Sequence, residues 1–199
     1  MNNAYIQWAM SALNEKGFRV DAATPDVIQN NPWSIVSRFK TDQGFVFLKK
    51  TPSALSLEPK VINLLHVEFQ ANSPVVIAEN HALNCFLMRD AGIPLHDYFK
   101  QHFDADILIQ TMHAYTKLQI SATNQIQRFF DLGVPDWRLE KLPTLYRDFI
   151  SHESLLLDDG LSKDDLIKLR KLESTLVSLC EQLARYKIKD TFGHADFHD

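Results

Sequence analysis

The spacing of apolar residues changes period once along this chain, and that change limits the folds open to it. Trp33-Ser-Ile-Val-Ser-Arg-Phe-Lys40 alternates and is rich in β-branched and aromatic residues. Phe45-Val-Phe-Leu-Lys49 follows, beyond the turn signal Thr41-Asp42-Gln43-Gly44. Two such runs joined by four turn residues predict a hairpin. Residues 74–78 (Pro-Val-Val-Ile-Ala) and 83–88 (Leu-Asn-Cys-Phe-Leu-Met) predict two further strands around Glu79-Asn80. After Gly92-Ile93-Pro94 the spacing is helical almost to the end. Residues 104–120 offer Ile107, Leu108, Met112, Tyr115 and Leu118 as a buried stripe. Leu166, Leu169, Leu172, Leu176, Leu179 and Leu183 step by three and four along one long helix, with Ser162 and Asp165 resembling a capping box at its start. Strands first and helices afterwards predict an α+β fold. Its N-terminal lobe spans residues 1–92 and its mainly helical lobe 93–199.

The head of the chain adds a helix to the first lobe. Tyr5, Ile6, Trp8, Ala9 and Leu13 recur at helical spacing, and Gly17 stops them. Between the hairpin and the next strand, Ser56 is expected to cap a short helix running to Leu65. Pro59 falls in its first turn, where a missing N–H costs little.

Charge and cysteine use narrow the class. The 199 residues carry 21 Lys+Arg against 25 Asp+Glu, a formal net charge of −4. The first hundred hold 9 basic and 9 acidic side chains and the rest 12 and 16. No basic half exists to track a phosphate backbone, so nucleic acid is not an expected partner. With 45% hydrophobic and 23% charged residues, the chain can bury a core without disulfides or metal. Cys85 and Cys180 stand 95 residues apart with no C-x-x-C, which suits a reducing compartment. No apolar run approaches the ~20 residues of a membrane span, and Met1-Asn2-Asn3-Ala4-Tyr5 lacks the basic start of a signal peptide. A cytoplasmic protein with no membrane partner is expected.

The run Gly193-His194-Ala195-Asp196-Phe197-His198-Asp199 packs four ionisable groups into six residues. Taken alone it allows three chemistries. If extended, His194, Asp196 and His198 share one face and could hold a metal, although no second His-x-His or His-x-x-x-His supplies a further ligand. It could be a polar tail in water. Or a carboxylate flanked by histidines could accept a hydroxyl proton while its neighbours hold its geometry.

The same run resembles the H-G-D-x-H-x-x-N catalytic loop of the aminoglycoside phosphotransferase and choline kinase family, whose fold is similar to that of protein kinases. Phe45-Val-Phe-Leu-Lys49 resembles the family's third small-lobe strand with its nucleotide-binding lysine. Glu58, in Glu-Pro-Lys-Val-Ile-Asn-Leu-Leu, falls where the family carries the glutamate that pairs with that lysine. Phe86-Leu-Met-Arg-Asp-Ala-Gly92 looks like the hinge between lobes, where the backbone at Met88, Arg89 and Asp90 would meet adenine. Trp33-Ser-Ile-Val resembles the strand after the phosphate-covering loop. These elements occur in family order over about residues 25–199. The resemblance implies a protein-kinase-like fold with ATP and magnesium as cofactors and a small hydroxyl-bearing acceptor. It implies Asp196 as the base and Lys49 as the phosphate ligand.

Charge physics asks for the same pair. A lone buried ammonium is costly and tends to lose its proton, so Lys49 requires a carboxylate nearby; Glu58 is the candidate and Glu68 its rival. Alternation sets Phe45, Phe47 and Lys49 on one face and Val46, Leu48 and Lys50 on the other, and leaves open which is inward.

The chain also departs from the family pattern. Gln29-Asn30-Asn31-Pro32 contains no glycine where the phosphate loop often has one, and Ala195 stands at the loop's usual glycine. Counted from His194, the asparagine of the loop falls at position 201, past Asp199. The metal-binding aspartate of the following strand is missing as well. A C-terminally truncated and itself inactive piece of an ATP-dependent small-molecule kinase is therefore expected, with no metal ligand of its own. The alternative is a non-catalytic kinase-like module that binds nucleotide or protein. Coding sequence beyond residue 199 separates the two.

Overall fold

Residues 4–194 are described by a computed structural model. They form a five-stranded antiparallel sheet near the N-terminus followed by a mainly helical region. The strands are β1 (Asp26–Asn31), β2 (Ser34–Thr41), β3 (Gly44–Lys50), β4 (Val76–Asn80) and β5 (Cys85–Arg89), in the order β1-β2-β3-β5-β4. The hairpin of β2 and β3 sets Val36 opposite Lys49 and Thr41 opposite Gly44. Its turn closes because Gly44 adopts φ +98°, open to glycine at little cost. The Thr41 hydroxyl accepts from the Gln43 amide at 3.1 Å and donates to the Gly44 carbonyl at 2.7 Å.

Strand β1 is not among the strands that the sequence predicts. Asn and Gln are poor strand formers, and the segment is held by pairing with β2. The Asn31 side chain supplies the turn, its Oδ1 accepting from the Trp33 and Ser34 amides at 3.0 and 2.8 Å. The stretch Gln29–Pro32 is thus the end of a strand and the start of a tight turn.

Helix α1 (Ala4–Glu15) covers one face of the sheet. Ala9, Ala12 and Leu13 pack with Phe18, Phe39, Val46, Leu48, Cys85 and Leu87 into the principal core. Val46 and Leu48 therefore face inward under α1, which answers the question that alternation left open. Helix α2 (Glu58–Glu68) follows a 3-10 turn at Ser53–Leu55 and packs on β4. Ser56 does not cap it. The Ser56 hydroxyl donates to the Ser53 carbonyl at 2.8 Å, Leu57 is the cap residue, and Pro59 sits in the first turn, where its missing N–H costs little.

Gly92, with φ +94°, turns the chain from β5 towards α3 (Leu95–Gln101), α4 (Ala105–Ala122) and α5 (Ile126–Leu132). Asp104 caps α4, accepting from the Asp106 and Ile107 amides at 2.9 and 3.2 Å. The stripe expected to be buried on α4 is only partly so. Ile107, Tyr115 and Leu118 are half-buried, while Leu108 and Met112 are 39% and 46% exposed. Periodicity identifies an apolar face; it does not say what covers it.

The remaining helices are α6 (Leu142–Ser151), α7 (Glu153–Asp158), α8 (Lys163–Lys171) and α9 (Glu173–Ala184). The single leucine-rich helix of the sequence reading is two helices that meet at Leu172. The Leu172 amide tightens onto the Leu169 carbonyl at 2.9 Å, and the Tyr146 hydroxyl from α6 donates to that same carbonyl at 2.7 Å. A tertiary partner thus takes the end of α8, and both α8 and α9 pack on α6. Ser162 does cap α8, accepting from the Asp165 amide at 3.1 Å.

The described residues divide into two compact units. One runs to Gly133 and takes in Gly193 and His194; the other is Val134–Phe192. No helix among the described residues is long and apolar enough to cross a membrane.

Candidate functional site

Lys49 is the next-to-last residue of β3, and Glu58 is the first residue of α2. The lysine ammonium meets Glu58 Oε1 at 2.7 Å, with the two side chains 24% and 33% exposed. Strand and helix each fix one partner. In β3 the alternation that turns Val46 and Leu48 into the core turns Lys49 to the opposite face, between Val36 of β2 and Phe86 of β5. In α2 the carboxylate projects from the first turn, where the helix dipole favours negative charge. The contact length is that of a charge-assisted hydrogen bond. Glu68 is no rival: it closes the other end of α2 and pairs with Arg128 at 2.7 Å.

Lys50 takes the other face of the sheet. It lies opposite Cys85, with its ammonium 5.3 Å from the centre of the Tyr5 ring. The Cys85 thiol is pushed up to about 11 by burial, with Lys50 pulling weakly the other way. The turn between β1 and β2 lies beside the ends of β2 and β3. A cavity of about 200 Å³ there is lined by Asn31, Pro32, Ser34, Ile35, Lys50, Thr51 and Pro52.

At the expected hinge, Met88 is half-buried and Arg89 and Asp90 are exposed. The Arg89 guanidinium lies 5.2 Å from the Phe18 ring, and the Asp90 carboxylate accepts from the Gly92 amide at 2.9 Å. Asp90 therefore braces the local turn, while Arg89 lies over the segment that follows α1. The Arg89 amide donates to the Val75 carbonyl at 2.9 Å, and the Asp90 amide to the Phe45 carbonyl at 3.3 Å. A purine edge docking here must use other backbone groups.

Of the terminal run, Gly193 and His194 are described; Ala195, Asp196, Phe197, His198 and Asp199 lie outside the described residues. The His194 amide donates to the Tyr115 hydroxyl of α4 at 2.8 Å. Among the described residues no group of three or more His, Cys, Asp or Glu side chains could hold a metal ion.

Sequence reasoning missed two clusters. One is the anchor at the far end of α2, where Phe69 stacks on Phe129 of α5 with ring centres 5.5 Å apart beside the Glu68–Arg128 pair. Residues sixty positions apart gave no local signal of it. The other is Asp136–Arg138. The Arg138 guanidinium grips the Asp136 carboxylate with bonds of 2.9 and 2.7 Å and reaches Glu140 at 3.3 Å. The spacing Asp-x-Arg-x-Glu was its available signal. A scan against protein-family models finds no match to this chain, and neither does a search of curated proteins.

Proposed function

We propose that this chain carries the nucleotide-binding part of an ATP-dependent phosphotransferase of the aminoglycoside phosphotransferase and choline kinase kind, with a protein-kinase-like fold. The observation that carries the reading is the Lys49–Glu58 contact at 2.7 Å, on a strand and helix adjacent in sequence and joined to a five-stranded antiparallel sheet. A triphosphate needs a cation that stays charged and stays put. Lys49 is held on a central strand, and its carboxylate partner offsets the cost of partial burial.

In the proposed reaction the bond from the γ-phosphorus to the bridging oxygen of ADP breaks. A bond from the acceptor oxygen forms, and the acceptor's proton passes to Asp196. Such transfers depend on positioning and charge stabilisation more than on the base. That gives a lysine fixed in this way a large share of the work. The resemblance implies magnesium beside ATP; among the described residues no group of three or more His, Cys, Asp or Glu side chains could hold it. Both cysteines are free and buried, in keeping with a reducing, cytoplasmic compartment.

Calorimetric titration of the chain with ATP tests the reading. Lys49→Ala removes a charge-assisted contact and should weaken binding roughly ten- to a hundredfold, while Lys50→Ala should leave it within about twofold of the starting value. Equal losses in both variants would overturn the lysine assignment. Absence of ATP binding in the unaltered chain would leave the non-catalytic module as the better description.

A further inference from the structure

Helix α2 has one fully buried residue, Pro59, and the rest of it is half-buried or exposed. Such a helix is held by its packing on β4 and by its two ends. One end is the Lys49–Glu58 contact. The other is a two-part clamp on α5: Phe69 against Phe129, which is 1% exposed, and Glu68 against Arg128 at 2.7 Å. Between these ties the 11 residues of α2 span about 16 Å, so a rotation of about 4° about the Phe69 end carries Glu58 by about 1 Å. A shift of that size takes the Lys49 contact out of the charge-assisted range.

We infer that Arg128 and Phe129 of α5 are positioning residues for the nucleotide lysine, acting through α2 to hold Glu58 against Lys49. The functional side of this inference rests on the reading of Lys49 given above. Phe129 supplies most of the anchoring, because it is buried and in ring contact. Arg128 sets direction: its partner is the last residue of α2, and reversing its charge drives that end of the helix away. Neither residue reaches the phosphates, and each acts only through the helix between them.

The test reads Lys49 directly. The side-chain Cε and Nζ resonances of Lys49 are followed by NMR in the full 199-residue chain, with Glu58→Gln as the reference for a broken contact. Arg128→Glu, at an exposed position that leaves folding intact, should move the Lys49 signals towards those of Glu58→Gln and weaken ATP binding about two- to fivefold. The double exchange Glu68→Arg with Arg128→Glu restores the clamp with its charges reversed and should return both readings to their starting values. Phe129→Leu keeps the site apolar but removes the ring contact, and should shift the same signals. Lys49 resonances unmoved by Arg128→Glu and Phe129→Leu would overturn the inference, as would a double exchange that rescues nothing. If the resonances respond as described but the unaltered chain binds no ATP, the positioning role stands and the nucleotide reading falls.

Discussion

The backbone amide of His194 donates to the hydroxyl of Tyr115, 79 positions earlier, at 2.8 Å. Helix α4 thereby holds the start of the Gly193–Asp199 run, after the chain has passed through all of Val134–Phe192. A backbone donor at such a place gains about 0.5–1.5 kcal/mol from its partner. Tyr115→Phe removes the acceptor and keeps the ring, so hydrogen exchange at the His194 amide should quicken about two- to tenfold. An unchanged rate in the variant would show that the hydroxyl does not hold the run.

Leu13 is the largest side chain that α1 buries completely in the core it shares with the sheet. Leu13→Ala leaves a cavity against the sheet and should cost about 2–5 kcal/mol. A urea titration reads this as a lower midpoint at unchanged slope. A loss under about 1 kcal/mol would mean that α1 is a loose cover and contributes little to the core.

What was legible in the sequence divides along the range of the interactions. The β2–β3 hairpin and α1 were readable because their signals are local: alternation, a Gly turn, a stripe ended by glycine. Lys49 and Glu58 were readable as a pair because a partly buried ammonium calls for a carboxylate and the resemblance pointed to Glu58, with Glu68 as its rival. Strand β1 was not, because its Gln and Asn residues are held by a neighbour and not by their own preference. The break at Leu172 was hidden because the leucine spacing runs through it unbroken, while the Tyr146 hydroxyl that takes the Leu169 carbonyl comes from another helix. The exposure of Leu108 and Met112 was hidden for the same reason, since a period says nothing about partners.

The Cys85 thiol, raised to about 11 by burial, binds its proton more tightly in the folded chain than in the unfolded one. Its contribution to stability is complete below about pH 9 and declines as pH rises from 9 towards 11. At pH 8 the thiolate fraction is about a hundredfold below that of an ordinary cysteine. Iodoacetamide at that pH should leave Cys85 unmodified in the folded protein and label it once urea unfolds the chain. Rapid labelling under native conditions would contradict the burial.

Asp136 titrates in the opposite sense. Hydrogen bonds from Arg138 hold its carboxyl down to about 2 from an ordinary 3.8. The folded state therefore favours the anion. The associated stability is present in full above about pH 4 and is lost as pH falls towards 2. Arg138→Lys replaces the two-pronged guanidinium with a point charge and should bring the Asp136 carboxyl resonance back towards an ordinary titration midpoint. A midpoint that stays near 2 in the variant would locate the cause elsewhere.

The order in which the first unit is completed follows from the path of the chain. Its sheet, α1, α2 and the clamp on α5 are all encoded before Gly133, but its last described residues, Gly193 and His194, come about sixty positions later. At typical synthesis rates of 5–20 residues per second, roughly 3–12 s separate the synthesis of Gly133 from that of His194. That interval is far longer than helices and hairpins need to form. Helices and hairpins of the first unit thus have time to form before the acceptor on Tyr115 can meet its donor.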